Sequence, residues 1–319
     1  MVRTQICPET EGPVKSVDAL LHGLVDYAGL FPPASEDMRP ALENYASYFD
    51  GPDCQALGRF IVPVSRLAEL ERAGSDLMHR GKRAVPWRLS VLVAEDVRAA
   101  SDEMQRFNQQ HAAGSKNGHA VVDVVEMKAT TPEQIQHQRR DLAQSFTPYF
   151  EIPLTGEVNA LVGTMAGVRA RAKMRTGGVT PESFPPAQSI VDFMLACQRN
   201  GVAFKATAGL HHPVRGEYRL TYDPDAAKGR MYGFLNVFFA AALLYSGDSE
   251  DTALAVLEEI DPSTFVFEDD AIQWRDKRVT ADQMAAARSG FAIAFGSCSF
   301  REPVDELAVL TTHARASQT

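Results

Sequence analysis

Two lysines with matching surroundings are the residues of this chain that could do chemistry together. Lys173 lies in the segment AKMRTGG and Lys205 in the segment FKATAGL, and each segment runs into a glycine turn. Two ammonium groups side by side are unfavourable unless one is neutral or an anion is bound. A neutral lysine amine is a nucleophile that forms an imine with a carbonyl compound. The pair therefore predicts imine chemistry, provided that the two segments are neighbours.

The residues between the two lysines predict how the segments become neighbours. Apolar residues of 190–197 repeat on one face at helical spacing, and Thr180 and Pro181 are expected to open that helix. In a strand-helix-strand unit the two strands are parallel and the crossover is right-handed. We therefore expect Lys173 and Lys205 at equivalent points of adjacent parallel strands.

Eight apolar segments alternate with helical patterns and are interpreted as strands. They are continuous apolar runs, which is typical of strands covered on both faces. This order predicts an α/β fold, a (β/α)8 TIM barrel formed as one domain by residues 1–319. The strand segments are LVDYAGLF, GRFIVPVS, WRLSVLVAED, AVVDVVEMKA, PYFEIPL, AKMRTGG, FKATAGL and FAIAFGSCS.

The alternation is interrupted between the seventh and eighth strands. Residues 215–289 are predicted to be an insertion at the barrel rim, with a hairpin at 265–279 and helices at 226–246, 249–259 and 280–288. Two roles stay open for this insertion. It is either a packing or dimerisation element, which would make the protein a homo-oligomer, or a lid over the site.

In a TIM barrel the chemistry lies at the carboxyl ends of the strands. Arg175 shares a face with Lys173, and at the mouth of the barrel it would suit a carboxylate or phosphate through a bidentate contact. The glycine turns and the hydroxyls of the last strand would also suit an anion. The candidate substrate-binding residues are Asp26, Glu151, Arg175, Gly177, Gly178, Thr207, Gly209, His211, His212, Ser297 and Ser299.

These segments resemble, in chain order, the deoxyribose-phosphate aldolase branch of the class I aldolases, which are barrels with a Schiff-base lysine. LVDYAGL and GRFIVP resemble the first two strands, and VVDVV resembles the strand with the catalytic aspartate. YFEIPL, KMRTGG, FKATAGL and FGSCS resemble later strands and the phosphate-binding end. The resemblance implies that Lys173 forms the imine, that Lys205 relays protons, that Asp123 is the catalytic aspartate and that no cofactor is needed.

The sequence also departs from this family pattern. Met174 and Arg175 replace small polar residues, Ala208 replaces a glycine that approaches phosphate, and His211 and His212 have no counterpart. The phrases VDYAGLFPPA, RTGGVTPE and FKATAGLHHP resemble a second group, of bacterial proteins of uncharacterised activity. We therefore expect a lyase of the aldolase type whose substrate is a different small anionic carbonyl compound.

Two further functions stay open beside the imine hypothesis. His211 with Glu126 or Glu151 could bind a metal and support a metal-assisted isomerase or lyase. The barrel could also be non-catalytic and bind a metabolite. Asp123 lies in an apolar run, so we expect it to pair with one of the two lysines or to form a structural buried pair. Cys298 is not expected to be a nucleophile, because no histidine is evidently placed to activate it.

Composition limits the partners. A formal charge of −9 and a pI near 5.4 argue against nucleic acid. The first residues lack the apolar segment of a signal peptide, and the apolar run 234–245 is too short to span a bilayer. Cys7, Cys54, Cys197 and Cys298 show no metal or redox spacing. Reduced thiols in a cytoplasmic metabolic protein, with a small anionic metabolite as its partner, are the expectation.

Overall fold

A closed barrel of eight parallel strands forms the centre of the computed structural model, which describes residues 14–316. Each strand pairs with the next in the chain, and the last strand closes the ring between the seventh and the first. The predicted (β/α)8 TIM barrel is therefore confirmed. The barrel strands are β1 Val25–Tyr27, β2 Leu57–Pro63, β3 Trp87–Leu92, β4 Ala120–Lys128, β5 Thr147–Glu151, β6 Arg171–Arg175, β7 Phe204–Thr207 and β13 Ala292–Ser297.

Helices separate the strands and form the outer layer. Their beginnings follow local capping chemistry: the Thr131 side chain accepts from Gln134 N just before a proline, and Asp96 accepts from Ala99 N. The helices are α1 Lys15–Leu21, α2 Met38–Phe49, α3 Leu67–Gly74, α4 Val97–Gln110, α5 Pro132–Asp141, α6 Val158–Gly167, α7 Ala187–Asn200, α8 Phe234–Tyr245, α9 Glu250–Glu258, α10 Ala281–Gly290 and α11 Arg301–Ala316.

The helix between the two lysine strands begins later than predicted. Residues 181–183 form one 3-10 turn after Thr180, and α7 begins only at Ala187. Pro185 and Pro186 explain the difference, because a residue that precedes proline is driven out of the α-helical region. The predicted start at Thr180 and Pro181 is therefore wrong, although the helix itself is confirmed.

The segment 215–289 contains more strands than the sequence predicts. Strands β8 Gly216–Arg219 and β9 Lys228–Met231 form an antiparallel hairpin, and β9 occupies the start of the expected 226–246 helix. Alternating exposed and buried positions in β9 have the period of a strand and not that of a helix. The predicted hairpin at 265–279 is confirmed, within a three-stranded sheet of β10 Phe265–Phe267, β11 Ala271–Trp274 and β12 Lys277–Thr280.

The parts of this segment occupy different places. In α8, Phe234 and Phe238 contact Phe295 of β13, so this helix belongs to the outer layer of the barrel. The three-stranded sheet contacts α1, where Ser16 Oγ donates to the carbonyl of Glu268. Only the β8–β9 hairpin, with Leu220 beside it, lies at the cavity described below. A rim insertion therefore describes the hairpin better than it describes the whole segment.

The cysteines depart from the expectation of reduced thiols. Cys197 and Cys298 are free and buried, whereas Cys54 is disulfide-bonded. Cys7 and the start of the chain, where no signal peptide was predicted, lie outside the described residues. Within residues 14–316 no helix has the length and apolar character that crossing a membrane requires. A cytoplasmic location and a homo-oligomer stay predictions.

Candidate functional site

The two lysines lie side by side inside the barrel. Lys173 of β6 is directly opposite Lys205 of β7 in the parallel register. Their exposed fractions are 6% and 1%. The predicted arrangement on adjacent parallel strands is therefore confirmed, and it brings two amines together in a buried place where their charges need compensation.

Three carboxylates surround the two amines. Glu126 lies between them, with Oε2 2.7 Å from Lys173 Nζ and Oε1 2.7 Å from Lys205 Nζ. Glu151 Oε2 lies 2.8 Å from Lys173 Nζ, and Asp26 Oδ2 lies 2.5 Å from Lys205 Nζ. We call these five residues the lysine–carboxylate cluster. From the sequence we expected either that one lysine is neutral or that an anion is bound. Instead, carboxylates of the protein itself supply the negative charge beside both amines.

Charged neighbours shift the pKa of three residues of this cluster, Glu126, Lys205 and Glu151. Burial alone would raise the pKa of Glu126, but the charges of Lys173 and Lys205 lower it far below its ordinary range. Burial alone would lower the pKa of Lys205, but Asp26 and Glu126 raise it above its ordinary value. The pKa of Glu151 is lowered by Lys173 against the effect of burial. Lys205 and Glu126 are therefore both charged at neutral pH.

Neighbouring groups fix the orientation of the carboxylates. Ser90 Oγ donates to Glu126 Oε1 at 2.6 Å, and the backbone N–H of Arg59 donates to Asp26 Oδ1 at 2.6 Å. The second contact needs Gly58, because a Cβ there would lie 2.2 Å from Asp26 Oδ1. Glycine therefore lets β2 approach the aspartate closely enough to donate to it.

Asp123 lies away from the lysines, so the expected pairing with Lys173 or Lys205 is wrong. Its carboxylate is held by the Arg59 guanidinium, with contacts of 2.6 and 2.8 Å, and by Arg88. These guanidinium charges lower the pKa of Asp123 although its burial would raise it. We call these three residues the arginine–aspartate cluster. The acid that contacts both lysines is Glu126.

The pairing of β4 with β3 distinguishes the two acids: Asp123 lies in a bulge beside Arg88, whereas Glu126 pairs with Leu92 at the carboxyl end of β3. Leu89 pairs with Val122 and Ser90 with Val124, so Asp123 has no partner on β3. An unpaired extra residue re-aims the side chains that precede it relative to those that follow. Sequence reasoning placed the acid by its resemblance to the family strand, and nothing in the residues VVDVV indicates the bulge. Glu126 was visible only as one of several acids near the end of a strand.

Two cavities meet at the lysine–carboxylate cluster. The first, of about 430 Å³, is bounded by three glycines of strand ends and turns, and we call it the glycine-side cavity. The second, of about 580 Å³, has a mainly apolar wall that includes Val64 and Val93, and we call it the apolar cavity. Lys173, Glu126 and Glu151 line both cavities. The residues lining either cavity, as far as the structure describes them, do not include Lys205.

The glycine-side cavity contains part of the predicted substrate-binding set. Arg175 is half-exposed, and its Nε lies 3.7 Å from Glu151 Oε1. Gly209 has a φ of +74°, which favours glycine, and a Cβ there would lie 2.8 Å from the Phe184 ring. The predicted residues that line this cavity are Glu151, Arg175, Gly178, Thr207, Gly209 and His211.

The other predicted residues have local partners. Gly177 packs on Phe184, where a Cβ would lie 2.3 Å from the ring, and Asp26 is paired with Lys205. His212 stacks on Tyr218 with ring centroids 3.5 Å apart. The hydroxyls at and after the end of the last strand lead into α11: Ser297 Oγ accepts from Ser299 N, and Ser299 Oγ accepts from Glu302 N. None of these five predicted residues lines the glycine-side cavity as the structure describes it.

Sequence reasoning missed a group around His211. His211 Nε2 lies 3.9 Å from Cys298 Sγ, and His211 Nδ1 lies 2.9 Å from Glu302 Oε2. The expectation that no histidine is placed near Cys298 is therefore wrong. His211 and Cys298 are far apart in the chain, so only the parallel packing of β7 and β13 brings them together.

The side chains around His211 do not support a metal site. In the part of the chain that the structure describes, no three or more His, Cys, Asp or Glu side chains form a group that could hold a metal. His211 faces Glu302 and Cys298, so no donor set supports the metal-assisted alternative with Glu126 or Glu151.

Comparison with protein-family models gives no match, and comparison with curated proteins gives none either.

Proposed function

We propose that this protein is a class I aldolase-type lyase that forms an imine between Lys173 and a small anionic carbonyl compound. One observation carries the proposal. Lys173 lines both cavities at the carboxyl ends of the strands, and it shares the carboxylate of Glu126 with the buried Lys205. The two lysines therefore differ in access to substrate while a single acid connects them.

Imine formation begins with loss of a proton from Lys173. The nearest acceptors are Glu126 Oε2 and Glu151 Oε2, at 2.7 and 2.8 Å from Nζ. The free amine then attacks the carbonyl carbon, and loss of water from the resulting carbinolamine gives the imine. The protonated imine accepts the electron pair of the carbon–carbon bond that breaks in aldol cleavage, and condensation is the reverse.

Lys205 and Glu126 would act as a proton-transfer pair beside this reaction. Lys205 donates to Glu126 Oε1 at 2.7 Å, while Glu126 Oε2 faces Lys173. A proton taken from the Lys173 ammonium can thus be passed back to the reacting atoms without crossing bulk water. The resemblance to the aldolase family assigned the acid to Asp123; the contacts in this chain favour Glu126.

The charges at the glycine-side cavity suit an anionic substrate. Its wall carries the cations Lys128, Lys173 and Arg175 and the acids Glu126 and Glu151. The excess of positive charge favours a carboxylate or phosphate at the open end, where Arg175 is half-exposed. The adjoining apolar cavity would accept an uncharged part of the substrate.

Borohydride trapping tests the imine directly. The protein is reduced in the presence of a panel of aldehydes and 2-oxo acids, and the modified residue is located by peptide mass spectrometry. We expect one adduct on Lys173 in the wild type and none in Lys173→Met. Lys205→Met is the matched control: it should still be trapped on Lys173, but roughly 100-fold more slowly because proton transfer is impaired. Equal trapping of Lys173→Met would overturn the assignment.

A non-catalytic barrel that binds a metabolite is the second candidate. The observation that favours it is the pairing of both lysines with carboxylates inside the barrel, which also describes a structural ion-pair cluster. Calorimetric titration with the same carbonyl panel separates the candidates. Binding that is weakened by Lys173→Met, without a trapped adduct or carbon–carbon cleavage in the wild type, would favour this second function.

A further inference from the structure

A cysteine and a histidine of the glycine-side cavity form a second group of reactive side chains together with a nearby glutamate. Cys298 Sγ lies 3.9 Å from His211 Nε2, and His211 Nδ1 lies 2.9 Å from Glu302 Oε2. Tyr222 lies beside the group, with its hydroxyl 3.6 Å from Cys298 Sγ, and donates to Glu302 Oε2 at 3.0 Å. A nucleophile, a base and a group that orients the base are the three parts of an activated thiol.

The charge of His211 fits this role. Burial alone would lower the pKa of His211, but its contacts with Cys298 and Glu302 raise that pKa to about 9. A positively charged imidazole beside the sulfur stabilises the negative charge of a thiolate, which is the nucleophilic form of cysteine. Glu302 in turn fixes the ring by its contact with Nδ1.

Access separates this thiol from the other free cysteine that the structure describes. Cys298 and His211 both line the glycine-side cavity, together with Lys173. Cys197 lies on the buried face of α7, where burial raises its pKa well above the ordinary value. Cys197 therefore serves as an internal control, because it is not among the residues that line either described cavity.

We propose that Cys298 is a second nucleophile of the glycine-side cavity, and that it adds reversibly to the carbonyl carbon of a small aldehyde that carries a carboxylate. We choose a carbonyl compound as the electrophile because the addition of a thiolate to a carbonyl carbon needs no oxidant. The carboxylate follows from the cations Lys128 and Arg175 on the same wall. This function goes beyond imine formation at Lys173 and does not require it.

The step balances within the named residues. The thiolate sulfur of Cys298 forms a bond to the carbonyl carbon, and the π bond of the carbonyl breaks. The electron pair moves to the carbonyl oxygen, which takes the proton of His211 Nε2. The products are a thiohemiacetal and a neutral imidazole, whose Nδ1–H donates to Glu302. The reverse reaction releases the aldehyde unchanged.

Alkylation by iodoacetamide tests the nucleophile. Modification of Cys298 and Cys197 in the whole protein is followed against time at pH 7 by peptide mass spectrometry. We expect Cys298 to react at least about tenfold faster than Cys197. His211→Gln should slow the reaction of Cys298 by about tenfold. His212→Gln is the matched control and should leave the rate unchanged, because His212 pairs with Glu306. Equal alkylation rates at Cys298 and Cys197 in the wild type would overturn the proposal. This comparison requires no variant.

Protection by a ligand tests the carbonyl chemistry. Glyoxylate, an aldehyde with a carboxylate, should slow the alkylation of Cys298 in Lys173→Met, where no imine can form at position 173. Glycolate has the same size and charge but no electrophilic carbon, and it should protect several-fold less. Equal protection by both compounds would refute covalent addition. Because alkylation and borohydride trapping have separate readouts, failure of this proposal and failure of the imine proposal are distinguishable.

Discussion

The lysine–carboxylate cluster and the arginine–aspartate cluster both neutralise carboxylates with cations inside the protein, but they use different cations. In the second, the guanidinium of Arg59 grips Asp123 with two parallel contacts. In the first, each amine is a point charge between two carboxylates. Arginine cannot lose its proton in a protein, whereas a lysine amine can. The arginine cluster is therefore suited to holding strands together, and the lysine cluster can also do chemistry.

One strand supplies an acid to each cluster. Asp123 and Glu126 both belong to β4 but lie at different heights along it: Asp123 is in the bulge beside Arg88, and Glu126 pairs with Leu92 at the carboxyl end of β3. Asp123 is 29% exposed at its side chain, whereas Glu126 is almost fully buried and lies at the cavity wall. The comparison teaches that the position of an acid along its strand decides which cations it meets.

The largest expected effect is that of Glu126→Gln. This change keeps the shape of the side chain but leaves two buried ammonium groups with one acid each. Breaking a buried ion pair by removal of one partner costs about 3–5 kcal/mol. We expect a loss of that size in the free energy of unfolding, measured with urea. The variant should also lose trapping on Lys173. A loss below about 1 kcal/mol would show that the cluster is far less coupled than its distances indicate.

The sequence predicted the barrel and the position of the two lysines because both depend on local patterns. Apolar runs, a glycine turn after each lysine and one intervening helix are enough to place Lys173 beside Lys205. The shared acid could not be predicted in the same way. Its place depends on the register between β4 and β3, which is a property of two strands together and not of β4 alone.

The contacts of His211 with Cys298 and Glu302 could not be predicted from the sequence for a related reason. Cys298 and Glu302 lie after the last strand, and β7 and β13 become neighbours only when the barrel closes. The β8–β9 hairpin was likewise missed, because strands of four residues are too short to show a clear period next to the apolar run 234–245. Barrel closure, bulges and short strands are therefore the features that the sequence left open.

Asp123→Asn makes the same chemical change in the arginine–aspartate cluster and should cost less. Hydrogen bonds to charged groups contribute about 1.5–3 kcal/mol, and this carboxylate is partly exposed. The lowered pKa of Asp123 sets the pH dependence. Its ion pairs add stability above the unfolded pKa of about 3.9 and lose it as the pH falls through the folded value. The difference in urea midpoint between wild type and variant should thus be full at pH 7 and shrink below about pH 4.

Trapping on Lys173 is the control for that variant. If Asp123 has no part in the chemistry, Asp123→Asn should be trapped at the wild-type rate at a temperature where both are folded. A loss of trapping as large as that of Lys205→Met would return the catalytic role to Asp123 and remove the distinction between the two clusters.

The smallest effect is expected for Arg88→Ala, and its salt dependence sharpens the comparison. The Arg88 side chain is 45% exposed where it contacts Asp123, and exposed ion pairs contribute about 0.2–1 kcal/mol. Because salt of 1 M shortens the screening length to about 3 Å, this small loss in unfolding free energy should nearly vanish in 1 M sodium chloride. Ser90→Ala removes the hydrogen bond to Glu126, which is buried, so its cost should persist in the same salt. Equal salt sensitivity in the two variants would mean that the lysine–carboxylate cluster is as open to ions as the arginine–aspartate cluster.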